Sequence, residues 1–231
     1  KISVRNLVEF LLRSGDIDST GIYSGIQLLQ QGTKIHRMLQ KEAGDDYKAE
    51  VRLSHTIEFE DFSLTVNGIA DGIITTENDI IIDEIKSIST PLELINEDKN
   101  TLHWAQAKCY AWIYIVESNL EVSNVAVRLT YYEVDSETVK QLQQTFHRDE
   151  LRQFFDSLIS QYAVWIRLSL SHELERNKSI KELDFPFAEY RKGQRQLAVA
   201  VYKAIRDKKL LFAQAPTGIG KTISTLFPAV K

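Results

Sequence analysis

Val66-Asn67-Gly68-Ile69-Ala70-Asp71-Gly72-Ile73-Ile74-Thr75 and, four residues on, Ile80-Ile81-Ile82-Asp83-Glu84-Ile85-Lys86 together decide how this chain of 231 residues is read. Both runs are apolar and β-branched, the composition of half-buried strands, and the turn-like Thr76-Glu77-Asn78-Asp79 between them predicts an antiparallel pair. Each run carries an acid that a core strand does not need: Asp71 in the first and Glu84 in the second. If the strands are neighbours, these two carboxylates converge on one point, and Lys86, two residues beyond Glu84, shares its face. Hard oxygen donors of this kind suit Mg²⁺ or Mn²⁺, and a lysine beside them can orient a water or offset developing negative charge. The chemistry that wants this set is hydrolysis of a phosphodiester.

The next apolar segment is helical in period and carries His103-Trp104-Ala105-Gln106-Ala107-Lys108-Cys109-Tyr110, which sets Gln106 and Tyr110 one turn apart. Upstream, Gly32-Thr33-Lys34-Ile35-His36 places a histidine in an early helix. With these residues added, the chain resembles the PD-(D/E)XK nucleases: Asp71 with Glu84-Ile85-Lys86 is similar to their D…(D/E)xK signature, and Gln106-x-x-x-Tyr110 to the QxxxY element of the RecB-type branch. The resemblance covers about residues 30–115. It implies an αβββαβ restriction-endonuclease-like core within an α/β fold with added helices. It further implies Asp71, Glu84, the carbonyl of Ile85 and His36 as metal ligands, Lys86 as the catalytic lysine, and Gln106 with Tyr110 as groups that position the lysine or the DNA backbone. Some members bind an iron–sulfur cluster through four cysteines; this chain has one, Cys109, so no such cluster is expected.

Taken singly, each of these residues has an ordinary structural reading. Glu-x-Lys on a strand is common on a solvated face, Asp71 after a glycine-containing run suits a turn, and Gln106 with Tyr110 is also how a helical packing pair looks. Their occurrence in order, between the expected elements, is what carries the nuclease reading. His55, His103, His147 and His172 lack metal-ligand spacing and read as structural or surface residues.

Composition sets wide bounds. A hydrophobic fraction of 43% with 10% aromatics supports a sizeable core and excludes a disordered chain. The net charge of −4 argues against a protein that coats nucleic acid through bulk positive charge, while leaving a local positive field or a bound metal free to act. A single cysteine excludes an internal disulfide framework and suits a reducing cytoplasm. No signal peptide and no apolar run of the roughly eighteen residues that a membrane span requires is present.

In chain order, helical spacing of Val4, Leu7, Val8, Leu11 and Leu12 predicts a helix over residues 3–13, with Ser3 as N-cap and Gly15 as stop. Residues 17–23 read as a loop, and the helix holding His36 runs to about Ala43 with Ile35, Met38 and Leu39 buried. Strands are expected at 49–59, 62–75 and 80–88, a helix at 101–116, and a strand at 122–134 with Val125, Val127, Leu129 and Tyr131 on one face. Residues 136–180 read as mainly helical, with Leu151, Phe154, Phe155, Leu158, Ile159, Tyr162 and Trp165 as an apolar stripe. The charged run 172–182 reads as its solvated end. Asp184-Phe185-Pro186-Phe187 marks a join between a nuclease-like domain, 1–183, and a second segment, 184–231.

That second segment reads as Gln194, an amphipathic helix, an apolar strand Leu210-Leu211-Phe212-Ala213, and then Ala215-Pro216-Thr217-Gly218-Ile219-Gly220-Lys221-Thr222. A strand, a glycine-containing loop, Lys-Thr and a helix make a phosphate cradle: backbone N–H groups and the helix N-terminus face the phosphates, Lys221 reaches the β/γ oxygens and Thr222 holds Mg²⁺. Ala215 in place of the usual first glycine resembles the A-x-x-G-x-G-K-T form of superfamily 2 helicases, and Gln194 resembles their adenine-reading Q motif. The pattern looks most like the DinG/XPD-related DNA helicases, which implies ATP as cofactor, with Gln194, Thr217, Gly218, Gly220, Lys221 and Thr222 as its binding residues. The chain opens without methionine and stops inside this unit, so it reads as a fragment whose remaining motor lies beyond residue 231 and which does not unwind DNA alone. The expected whole is a metal-dependent DNA nuclease, acting on single strands, fused to an ATP-dependent helicase in DNA repair or processing. The alternatives are a nuclease fold without turnover that serves as a DNA-binding or regulatory module, and an unrelated structural domain of an ATPase.

Overall fold

The computed structural model describes residues 1–14, 25–76, 79–96 and 100–231, with side chains in the second stretch from residue 32 onward. Gly15, the expected loop at 17–23 and the centre of the turn at 77–78 lie outside the described residues. The chain forms two compact units, Lys1–Ala163 and Val164–Lys231. No helix among the described residues is long and apolar enough to cross a membrane.

In the first unit a short strand β1 (Ile2–Ser3) leads into helix α1 (Val4–Leu12), then α2 (Gly25–Glu42), β2 (Tyr47–Glu58), β3 (Ser63–Thr75), β4 (Ile80–Ile88), α3 (Thr101–Glu117), β5 (Asn124–Glu133), β6 (Thr138–His147) and the start of α4 (Arg148–Glu182), whose residues from Val164 on belong to the second unit. The expected order of helix, three strands, helix and strand is present as α2-β2-β3-β4-α3-β5. Ser3 caps α1 as its residue type suggests, its hydroxyl accepting the Asn6 N–H at 3.1 Å. Helix α3 is apolar on most sides, with Trp104, Ala107, Cys109, Ala111, Ile113 and Ile115 all buried, the pattern of a helix enclosed by the core.

The sheet carries the site. Strands β2 and β3 pair antiparallel over nearly their whole length, β3 and β4 pair antiparallel from Gly72↔Asp83 to Thr75↔Ile80, β4 and β5 run parallel, and β5 and β6 run antiparallel. Strand β1 pairs parallel with β3 at Val66 and Asn67. Because β2 occupies one edge of β3, β1 and β4 share the other, and β4 departs from β3 immediately after Gly72. Asp71 stands at this fork. The β2–β3 ladder also skips the Glu50–Asp71 position, where Glu50 adopts a left-handed backbone with φ of 50°.

Two glycines of β3 are required by what crosses them. A Cβ on Gly72 would lie 1.8 Å from Tyr47 Cζ, and one on Gly68 would lie 2.6 Å from Tyr110 Cε1. The first lets the Tyr47 ring lie flat over β3. The second lets Tyr110 approach from α3.

Several expectations need correction. Residues 138–147 form strand β6 at the sheet edge rather than the start of a helix, and the following helix begins only at Arg148. Met38 is exposed, whereas Ile35 is buried. Trp165 is likewise exposed, so the apolar stripe of α4 stops near Ala163. The charged run 172–182, by contrast, is solvated as expected apart from one partly covered residue.

In the second unit α5 (Gln194–Arg206) and α6 (Lys221–Val230) follow α4. Phe185 stacks on Tyr190 at 4.0 Å between ring centroids and meets Phe187 and Phe227 edge-on. The strand expected at 210–213 does not form: no described strand pairs with it, and Leu210 and Phe212 are almost fully exposed.

Candidate metal centre at the fork of β3 and β4

Asp71 sits where β3 and β4 part, and its side chain takes over the work of the broken ladder. Its Oδ2 accepts the Ile85 N–H at 2.8 Å, a backbone donor that would otherwise be orphaned beyond the last strand pair. Its Oδ1 lies 3.3 Å from His36 Nδ1, and its carbonyl accepts Gln40 Nε2–H at 2.9 Å. His36 and Gln40, one turn apart on α2, therefore clamp that helix onto the fork.

Glu84 lies on β4 beside this point and is buried. Lys86 Nζ donates to its Oε1 at 2.5 Å, while its Oε2, also enclosed, has no hydrogen-bond partner among the described residues. Burial pushes the Glu84 carboxyl up to about 7; the Lys86 ammonium opposes this, the Asp71 carboxylate adds to it, and His36 opposes it more weakly. A close ammonium ordinarily pulls a carboxyl down, so here desolvation is the larger effect. The structure thus brings Asp71, Glu84, Lys86 and His36 to one place. Ile85 is anchored in the same place through its N–H.

Tyr110 lies close enough to this cluster, from α3, for the charges of Glu84 and Asp71 to act on it, and Gln106 stands one turn before it. Gln106 Nε2 stands 3.5 Å from the Tyr110 hydroxyl, at the outer limit of a hydrogen bond. Burial raises the Tyr110 hydroxyl well above the usual phenol range, and the charges of Glu84 and Asp71 reinforce it.

The donor set fits a hard divalent cation: carboxylate oxygens, a backbone carbonyl and an imidazole. The unpartnered Glu84 Oε2 supports this most directly, since a buried carboxylate oxygen without a donor is costly unless a cation faces it. Among the described residues, no three His, Cys, Asp or Glu side chains are gathered closely enough to hold an ion as they stand. Lys86 holds one Glu84 oxygen and the Asp71 oxygens face Ile85 and His36. Ligation would require Glu84 and Asp71 to turn toward a common centre.

Sequence reasoning missed three partners. Gln40 was not singled out, although it sits four residues after His36 on the same helical face. Asp83, directly before Glu84, points to the opposite face and binds Arg128 at 2.9 and 3.0 Å, Thr130 Oγ1 at 2.7 Å and Tyr47 OH at 3.1 Å. His103 Nδ1 lies 2.9 Å from the Tyr131 hydroxyl. Only strand alternation separates Asp83 from Glu84 in the sequence, and nothing in the sequence pairs residue 103 with residue 131.

In the second unit, Gly218 and Gly220 both adopt positive φ, near 82° and 83°, in the loop that leads into α6. Lys221 Nζ donates to the carbonyls of Ala215 and Pro216 at 3.1 and 3.0 Å. Thr217 and Thr222 are exposed. Gln194 is buried at the start of α5, accepts the Arg191 N–H at 3.0 Å and lies against Gly220. Gln194 and the loop are therefore adjacent within this unit.

Comparison with known proteins gives three findings. The crystal structure of SSO0001 aligns with 69% of this chain and 75% of its own at 17% identity and a TM-score of 0.41. A probable ATP-dependent helicase from Methanocaldococcus jannaschii is 41% identical over 51 residues, a segment that spans 22% of this chain and 8% of that protein. A family model for the PD-(D/E)XK nuclease superfamily matches residues 9–202, which include the fork, the buried glutamate with its lysine and the α3 residues facing them, and so this chain belongs to the PD-(D/E)XK nuclease superfamily.

Proposed function

We propose that the chain is a metal-dependent deoxyribonuclease of the RecB-type branch, acting on single-stranded DNA. The observation that carries this reading is the buried, unpartnered Glu84 Oε2 beside Asp71, His36 and Lys86. Asp71, Glu84, His36 and the Ile85 carbonyl would hold Mg²⁺ or Mn²⁺. Such an ion, when bound, polarises the phosphoryl oxygen and lowers the pKa of a water. Lys86 supplies a compact cation with three rotatable donors, suited to orienting the attacking oxygen and to offsetting charge on the phosphate. Tyr110 and Gln106 limit how Lys86 and the DNA backbone sit. Their wall of apolar helix keeps bulk water from this side of the site.

The second unit supports a further part of the reading: the start of a DinG/XPD-like helicase, with ATP held by Thr217, Gly218, Gly220, Lys221 and Thr222 and its adenine read by Gln194. The likeness to a helicase over 51 residues and the Gln194–Gly220 contact favour it. In this reading the motor presents single strands for cutting.

The test is cleavage of end-labelled single-stranded DNA with Mg²⁺ or Mn²⁺ by the wild-type chain, Asp71→Ala and Lys86→Ala, with an RNA of the same sequence alongside. Metal-dependent products from wild type alone are expected; equal activity in all three proteins would sink the proposal. Binding of DNA without any product would favour a regulatory module instead.

A further inference from the structure

His103 and Tyr131 lie outside the metal-ligand set, yet both border Lys86. Tyr131 on β5 is the cross-strand partner of Lys86 in the parallel β4–β5 ladder, so the two side chains rise side by side from the same face. The Tyr131 ring is completely buried and its hydroxyl meets His103 Nδ1 at 2.9 Å, the rings lying 5.8 Å apart. His103 is one turn before Gln106 and two before Tyr110, on the face of α3 that looks onto the candidate site.

Lys86 has a long, freely rotating stem and, among the described residues, a single hydrogen bond, to Glu84. Once Glu84 turns toward a cation, that bond no longer aims the ammonium. Gln106 and Tyr110 then limit where it sits, and the groups packed along its stem decide how firmly it is held. Resting on the nuclease reading above, we propose that His103 and Tyr131 are positioning residues of that reaction: their mutual bond stiffens the wall along which the Lys86 stem runs and so aims its ammonium at the scissile phosphate.

The chemistry of the pair suits this task. Burial first, and then the nearby charges of Lys86 and Arg5, lower the His103 imidazole to about 4, so near neutral pH it carries no charge to set against the Lys86 ammonium. Burial also raises the Tyr131 hydroxyl, with the Glu84 charge adding to it, so it keeps its proton for the imidazole. A partly buried Tyr–His bond beside the proposed catalytic lysine has the form of an outer-shell support.

The experiment uses the full chain, single-stranded DNA and Mn²⁺, and measures kcat, KM, half-saturating Mn²⁺ and thermal midpoint. Tyr131→Phe removes one hydroxyl and keeps the packing. His103→Asn keeps a polar atom near the Nδ1 position, whereas His103→Gln keeps one near Nε2. Tyr131→Phe and His103→Gln are each expected to lower kcat about tenfold, the low end for loss of an outer-shell partner. KM and half-saturating Mn²⁺ should stay within about twofold of wild type, and His103→Asn should keep at least about half of kcat, because metal ligation and DNA contact are untouched. The two lesions combined should be no worse than either alone. A kcat for Tyr131→Phe within about twofold of wild type, equal rescue by Asn and Gln, or losses that multiply would each overturn the proposal. Such an outcome beside an inactive Asp71→Ala overturns this inference alone; a wild-type chain without metal-dependent cleavage overturns the nuclease reading as well.

Discussion

Asp83 and Glu84 are neighbours on one strand, both buried, and they are treated in opposite ways. Asp83 receives two hydrogen bonds from Arg128 and one each from Thr130 and Tyr47, so its two oxygens are fully engaged by groups that keep β2, β4 and β5 together. Glu84 receives one, from Lys86, and leaves an oxygen without a partner. A carboxylate that only holds a fold has every reason to be satisfied, because an unmet buried acceptor costs roughly 1–3 kcal/mol or more. One that meets its partner from outside must keep a place open. On the proposed reading, the two faces of β4 separate support from chemistry, one residue apart.

The sharpest way to break this contrast is to make both acids neutral in turn. Glu84→Gln should cut metal-dependent cleavage by a factor on the order of 10³, the range seen when a preorganised charge at the reacting centre is lost, with thermal stability equal or higher. If the activity survives, Glu84 is structural after all. Asp83→Ala should do the reverse through the fold: Arg128 is left partly buried and uncompensated, and chemical denaturation should show a loss of about 3 kcal/mol.

A third measurement follows from the Glu84 carboxyl lying at about 7 when its unfolded counterpart lies at 4.5. Between those values the folded chain holds a proton that the unfolded chain has released, so raising pH across this window lowers the stability of the metal-free protein, by up to about 3 kcal/mol. Denaturation midpoints at pH 5 and pH 8 should show this fall in wild type, and Glu84→Gln should flatten it. The smallest effect belongs to Tyr47→Phe, which removes one of four donors to Asp83 and should cost about 1 kcal/mol by denaturation, without changing cleavage.

The sequence made one face of this strand legible and left the other dark. Asp71, Glu84 and Lys86 stood out because charged residues interrupt apolar runs at positions with a known chemical use, and pairing of the runs followed from the turn between them. Asp83 did not stand out. Its partners at 47, 128 and 130 come from three separate segments, and only the folded sheet assembles them. Strand β6 was hidden for a related reason: the side it turns toward the protein carries Lys140 and Gln144, so the apolar alternation that signals a strand is diluted. Lys140 nevertheless has partners, donating to the carbonyls of Leu92 and Ile95. At the other end, Leu210 to Phe212 has strand composition but no described strand pairs with it, and composition cannot supply one.

If Asp71 ligates an ion as proposed, its bond to the Ile85 amide ties the opening of a sheet to the holding of that ion. Whatever draws that carboxylate away from the amide leaves the seam between β3 and β4 free to loosen, and whatever fastens the seam holds the carboxylate back from a new ligand. Hydrogen exchange at this single amide is thus a gauge of loading: it should quicken as Mg²⁺ or Mn²⁺ is added if the carboxylate swings across, and slow if the ion braces the junction as a whole.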